Sequence, residues 1–148
     1  MRKYALLVAV AGVAMAAPAQ ANEGRVEARG GIAWAEGAEE AIAGVAGGYD
    51  WDLGETGFIG VEGSADKILV DGADVVFGAT VRGGFKAGAN GKLFAAGGYS
   101  FGDGDAFHLG GGYQHKLGEK VYLKAEYRHF FDDVVDINTA AIGVGFAF

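Results

Sequence analysis

From about residue 24 onward, hydrophobic residues recur at every second position, in eight stretches separated by short polar breaks. Period-two alternation marks a β-strand with one apolar face. The stretches are 24–34, 40–51, 58–66, 75–86, 92–101, 107–117, 121–131 and 138–148. The breaks, among them "DLGETG", "AGANG" and "GDGDA", are rich in Gly, Asp or Asn, which tolerate turn conformations. Most stretches reach the ~9–11 residues that a tilted strand needs to cross a bilayer.

Sorting each stretch by parity separates two environments. In the fourth, Val75, Phe77, Ala79, Val81 and Phe85 alternate with Gly78, Thr80, Arg82, Gly84 and Lys86. In the seventh, Val121, Leu123, Ala125 and Tyr127 alternate with Tyr122, Lys124, Glu126 and Arg128. No Asp, Glu, Lys or Arg falls on the apolar parity of any stretch, and thirteen of the eighteen aromatic residues do. The other parity is crowded with glycine, including Gly31, Gly48, Gly60, Gly84 and Gly110. Glycine weakens a strand and serves no purpose on a water-facing sheet, whereas the lumen of a small barrel has room only for compact filling. The apolar parity is therefore assigned to lipid and the glycine-and-charge parity to a lumen. The expected fold is all-β, an eight-stranded antiparallel up-and-down transmembrane β-barrel. In that order one end of the barrel collects Tyr49, Trp51, Phe85, Tyr113, Phe146 and Phe148. The other collects Trp34, Tyr99, Phe101, Phe107, Tyr127 and Phe131, which gives two aromatic belts. Closure requires the last stretch to pair with the first, since hydrocarbon leaves no backbone group unpaired.

The N-terminal segment adds a destination. Arg2 and Lys3 precede an apolar run from Tyr4 to Ala17, and Ala19-Gln20-Ala21 forms an A-x-A cleavage site. This is a secretory signal pattern, too short for a spanning helix. The expected organisation is a signal peptide at 1–21 and a single barrel domain at 22–148. Loss of Arg2 and Lys3 would take the formal charge from −7 to −9, a balance that argues against nucleic acid as a partner. The chain has no cysteine, so no disulfide supports it.

With the signal ending "AQA", the strand "LKAEYRHFF" and the terminal "IGVGFAF", the chain resembles the small OmpA-like and opacity-like eight-stranded outer-membrane barrels. The resemblance spans nearly all of 22–148. It implies residence in the bacterial outer membrane as a monomer among its lipids and lipopolysaccharide. It also implies that Gly143, Phe146 and Phe148 form the C-terminal signal by which barrel-assembly machinery recognises the strand. Outer loops of about six to nine residues are expected from the breaks, short beside those of adhesive relatives. No peptidoglycan-binding domain is expected after the barrel.

Glu27, Arg29, Glu62, Arg82, Lys124, Glu126 and Arg128 fall on the lumen parity near mid-strand. Charges at that depth must pair, and Glu62–Arg82 and Glu126–Arg29 are the expected pairs. Such a network either fills a closed plug or switches to open a narrow ion path. Around the outer end stand Glu36, Glu39, Glu40, Asp66, Asp71, Asp74, Asp103, Asp105, Asp132, Asp133 and Asp136, with Lys67 the only base. Turn chemistry and solubility explain this rim; divalent-cation bridges to lipopolysaccharide phosphates are the sharper alternative. No metal site or cofactor is expected. His129 is expected beside the aromatic belt and His108 at the lumen rim. Neither serine, Ser64 or Ser100, lies within reach of His129, so no catalytic arrangement is expected. The expected role is structural, in envelope integrity with a closed lumen; the alternative is a narrow porin-like channel for ions or small solutes.

Overall fold

The computed structural model describes residues 22–102 and 105–148. The expected signal segment and Asp103 lie outside them. Eight strands follow one another in chain order: β1 (Glu23–Ala35), β2 (Ala38–Leu53), β3 (Gly57–Ile68), β4 (Val75–Ala87), β5 (Gly91–Phe101), β6 (Ala106–Lys116), β7 (Val121–Phe131) and β8 (Ile137–Ala147). Each pairs antiparallel with its neighbours, and β1 pairs with β8 to close the barrel. The seam runs from Arg25 opposite Ala147 to Trp34 opposite Asn138. Phe148 lies one residue past β8 and extends the seam. Its N–H donates to the Gly24 carbonyl at 2.8 Å, and its own carbonyl accepts from the Gly24 N–H at 2.7 Å.

The alternation sets the direction of every side chain. On each strand at least one large aliphatic residue stands outward: Ile32, Val45, Val61, Val81, Leu93, Leu109, Leu123 and Val144 have exposures from 39% to 58%. A continuous apolar band around a closed sheet is what hydrocarbon solvates and water does not. Aromatic pairs border it. Tyr49 meets Trp51 edge-on at 5.0 Å near the chain ends, and Tyr99 meets Phe107 edge-on at 5.2 Å near the opposite end.

Two strands are longer than the alternation implied. β2 begins at Ala38 and β3 runs to Ile68, with the Leu69 N–H bonded to the Ala41 carbonyl at 2.8 Å. Strand pairing outlasts the hydrophobic pattern because backbone hydrogen bonds need no apolar side chain. The extensions put Glu39 and Lys67 on the outward parity at the end of the barrel, where both are exposed. They also shorten the loops. The expected six to nine residues become two at 36–37, six at 69–74 and five at 132–136. The β1–β2 turn is tight because both central residues, Glu36 (φ 28°) and Gly37 (φ 83°), take the positive φ of a primed hairpin.

Candidate functional site

The lumen holds the charged groups of the strands. Glu27, Arg29, Glu62, Arg82, Lys124, Glu126 and Arg128 all point inward and are buried. So are Arg25, Asp50 and Lys92. They form two clusters, each centred on a carboxylate.

Glu62 is the first centre. Its Oε2 accepts from Arg25 Nη1 at 2.7 Å, and Lys124 Nζ stands 3.5 Å away. Its Oε1 accepts from Arg128 Nη2 at 2.7 Å and Arg29 Nη1 at 3.3 Å. Glu126 completes the ring with Arg128 Nε at 2.9 Å and Arg29 Nη1 at 3.4 Å. Glu27 holds Lys124 Nζ at 2.5 Å and accepts from the Tyr122 hydroxyl at 2.8 Å.

Asp50 is the second centre, nearer the chain ends. Arg82 engages it through both Nε (3.1 Å) and Nη2 (2.5 Å), and Lys92 Nζ adds a contact at 3.1 Å. Arg82 also donates to the Gln114 side chain at 3.0 Å, with its guanidinium 4.9 Å from the Phe94 ring centroid and 5.4 Å from that of Phe58. Arg25 Nε lies 3.7 Å from Asp50 Oδ1, so this one arginine joins the two clusters.

Of the two pairs expected from the sequence, Arg29–Glu126 is present at 3.4 Å. Glu62–Arg82 is replaced, because Arg82 pairs with Asp50. Register explains the change. Arg82 stands opposite Gly60, and Gly60 stands opposite Asp50, so the partners occupy one row with a glycine between them. Arg25, Gly48 and Glu62 make a second such row, and Arg29, Gly44 and Asp66 a third. Two strand steps span roughly 10 Å, a gap that an arginine and a carboxylate bridge only over a residue without a side chain. A Cβ on Gly48 would stand 2.7 Å from Arg25 Nη2, and one on Gly60 would collide with the Asp50 carboxylate. Gly44, Gly48 and Gly60 are therefore slots through which ion pairs reach across the middle strand. They also explain Asp66, expected in the acidic rim: its carboxylate turns inward and takes Arg29 Nε at 2.8 Å and Nη2 at 2.5 Å.

The network is densely packed at its middle. Arg25, Arg82 and Lys124 are each 2% exposed or less, and Phe58, Phe94 and Tyr122 fill the space beside them. On the side of the terminal ends a polar vestibule of about 330 Å³ opens, bordered by Glu23, Asp52, Lys86, Lys92 and Lys116. Lys116 bonds Glu23 at 2.5 Å and Lys86 bonds Asp52 at 2.9 Å, so its charges are also paired.

His108, expected at the lumen rim, is 1% exposed. Its Nδ1 lies 3.1 Å from Ser100 Oγ and its Nε2 2.9 Å from Thr80 Oγ1. The contact with Ser100 is not legible in the sequence, because it arises only across the β5–β6 pairing. Both ring nitrogens are occupied by hydroxyls, and among the described residues no carboxylate hydrogen-bonds the ring to orient it as a general base. His129 points outward, as expected, with its ring 4.6 Å from Phe131 and Nδ1 2.7 Å from Asn138 Oδ1. Among the described residues no group of three or more His, Asp or Glu side chains is arranged to hold a metal ion.

No protein-family model matches the chain, and no curated protein matches it. Solved structures do. The Ail attachment invasion locus protein of Yersinia pestis superposes with a TM-score of 0.64 at 15% identity, over 87% of this chain and 99% of Ail. The N-terminal β-barrel domain of Pseudomonas aeruginosa OprF gives 0.61 at 15% identity, over 84% of this chain and 97% of that domain. Neisserial surface protein A gives 0.61 at 13% identity, over 88% and 98%. The chain therefore has the closed, eight-stranded, all-antiparallel architecture of the small outer-membrane barrels.

Proposed function

We propose that this chain is an outer-membrane β-barrel protein whose role is structural: it holds a closed, salt-bridged cylinder in the envelope and conducts nothing. The observation that carries the reading is the Glu62 centre. Four cations surround one buried carboxylate within 3.5 Å, so opening a path would leave several of them without an acceptor in a low-dielectric interior. The apolar band and aromatic belts support residence among outer-membrane lipids and lipopolysaccharide after loss of residues 1–21. The terminal strand, with Gly143, Phe146 and Phe148, supports recognition by the barrel-assembly machinery. Each barrel completes its own sheet, which supports a monomer.

Planar-bilayer recording tests the closed lumen. The expected trace is flat for the wild-type protein. Discrete current steps that grow or vanish in Glu62→Ala would replace this reading with a narrow channel. Bridging of the acidic loops to lipopolysaccharide through divalent cations is tested by chelation; thermal stability in outer-membrane vesicles unchanged by chelator would refute it.

A further inference from the structure

Above the Glu62 cluster, at the end of the lumen away from the chain termini, the inward parity changes character. Ile42, Ile68, Val76, Phe130 and Ile137 point into the lumen there, from five different strands. They wall a cavity of about 140 Å³. Its floor is the ion-paired layer of Arg29, Asp66, Glu126 and Arg128. Lys67 and Asp132 stand beside these walls, and the other large apolar side chains on the lumen parity, Phe58 and Phe94, lie against Arg82, so these five residues need a reason.

We infer that this cavity is a binding site for a neutral, single-ring-sized apolar molecule, admitted from the end that carries loops 69–74 and 132–136. Three observations favour that class. The volume matches: elsewhere, an engineered apolar cavity of about 150 Å³ stays dry and takes up benzene. The floor is neutral, since two arginines face two carboxylates and Arg29 holds Asp66 through two nitrogens. An ionic guest would have to break those pairs, and the acidic loops would repel an anion before it arrived. The mouth also offers apolar surface, with Leu69, Val70 and Val134 exposed among the acidic residues of the surrounding loops. Retention of the guest rests on the closed lumen proposed above: with the ion-paired layer beneath, the cavity is blind and does not pass the guest on.

The six isoleucines provide the test. Ile42, Ile68 and Ile137 line the cavity, whereas Ile32, Ile59 and Ile142 face outward. The folded barrel, with ¹³C-labelled isoleucine methyl groups in lipid nanodiscs, is titrated with toluene. Saturating shifts are expected at Ile42, Ile68 and Ile137. The outward three are expected to drift in proportion to toluene dissolved in the lipid. Ala141→Leu and, as a second filled variant, Ala33→Leu place bulk in the cavity, and either is expected to abolish saturation. Six methyls responding alike, or saturation unchanged in both folded variants, would overturn the site. Benzoate is expected to give no saturating shift; saturation by benzoate equal to that by toluene would overturn the neutral class.

Discussion

At the residue scale, the ion pairs of the lumen depend on what stands between the partners. Glu62→Gln removes the acceptor shared by Arg25, Arg29, Lys124 and Arg128 and leaves buried cations uncompensated. The expected loss is about 3–5 kcal/mol of stability, the usual cost of breaking a buried pair from one side, read from urea unfolding in lipid vesicles. Gly60→Ala makes a sharper test. Its methyl group would occupy the gap across which Asp50 and Arg82 meet, and overpacking of this kind costs about 1–3 kcal/mol. If the slot works as described, Gly60→Ala and Asp50→Asn are not additive, because each removes the same contact. Additive losses in a double-mutant cycle would separate glycine from ion pair. The seven charges were visible in the sequence as inward residues. Asp50 and Arg25 lay on the same parity near strand ends, where depth in the membrane gives no warning that they are buried.

At the element scale, each strand has two solvents, and a charge is tolerated on one face only. Val144→Arg places a guanidinium on the lipid face of β8 near mid-strand. The expected penalty is about 2–4 kcal/mol for a site at the bilayer midplane, measured as the free energy of folding into vesicles. Thr139→Arg, on the inward parity of the same strand, is expected to cost less because it projects toward the lumen mouth. Equal penalties would refute the assignment of faces. The last strand carries a further demand. Deleting residues 146–148 strips partners from Arg25, Val26 and Gly24 and leaves the β1 edge open, a state hydrocarbon does not accommodate. Loss of the folded species is expected. Strand existence and facing were legible in the alternation; the extra length of β2 and β3 was not, because Glu39 and Lys67 interrupt the apolar parity there.

At the scale of the whole molecule, closure makes the barrel resist detergent until heat unfolds it. The protein extracted from membranes is expected to run as a compact band that shifts on boiling, and a single unshifted band would refute a closed barrel. The absence of cysteine allows single-cysteine probes around the wall. A lipid-soluble reagent is expected to label position 81 or 123 and to miss 82 or 126; the reverse pattern would invert inside and outside.

The sequence by itself determined the number of strands, their order and which residues look into oil or into the lumen. Those properties follow from a local period of two, and each strand declares its own. It did not determine register. Sliding one strand by two residues keeps every side chain on its face while changing every partner across the sheet. Only the closed structure decides that Arg82 faces Gly60 and so reaches Asp50, that Asp66 turns in to Arg29, and that Ser100 meets His108. The same limit hid the apolar cavity, since its walls come from strands far apart in the chain that are brought to one level only when the cylinder closes.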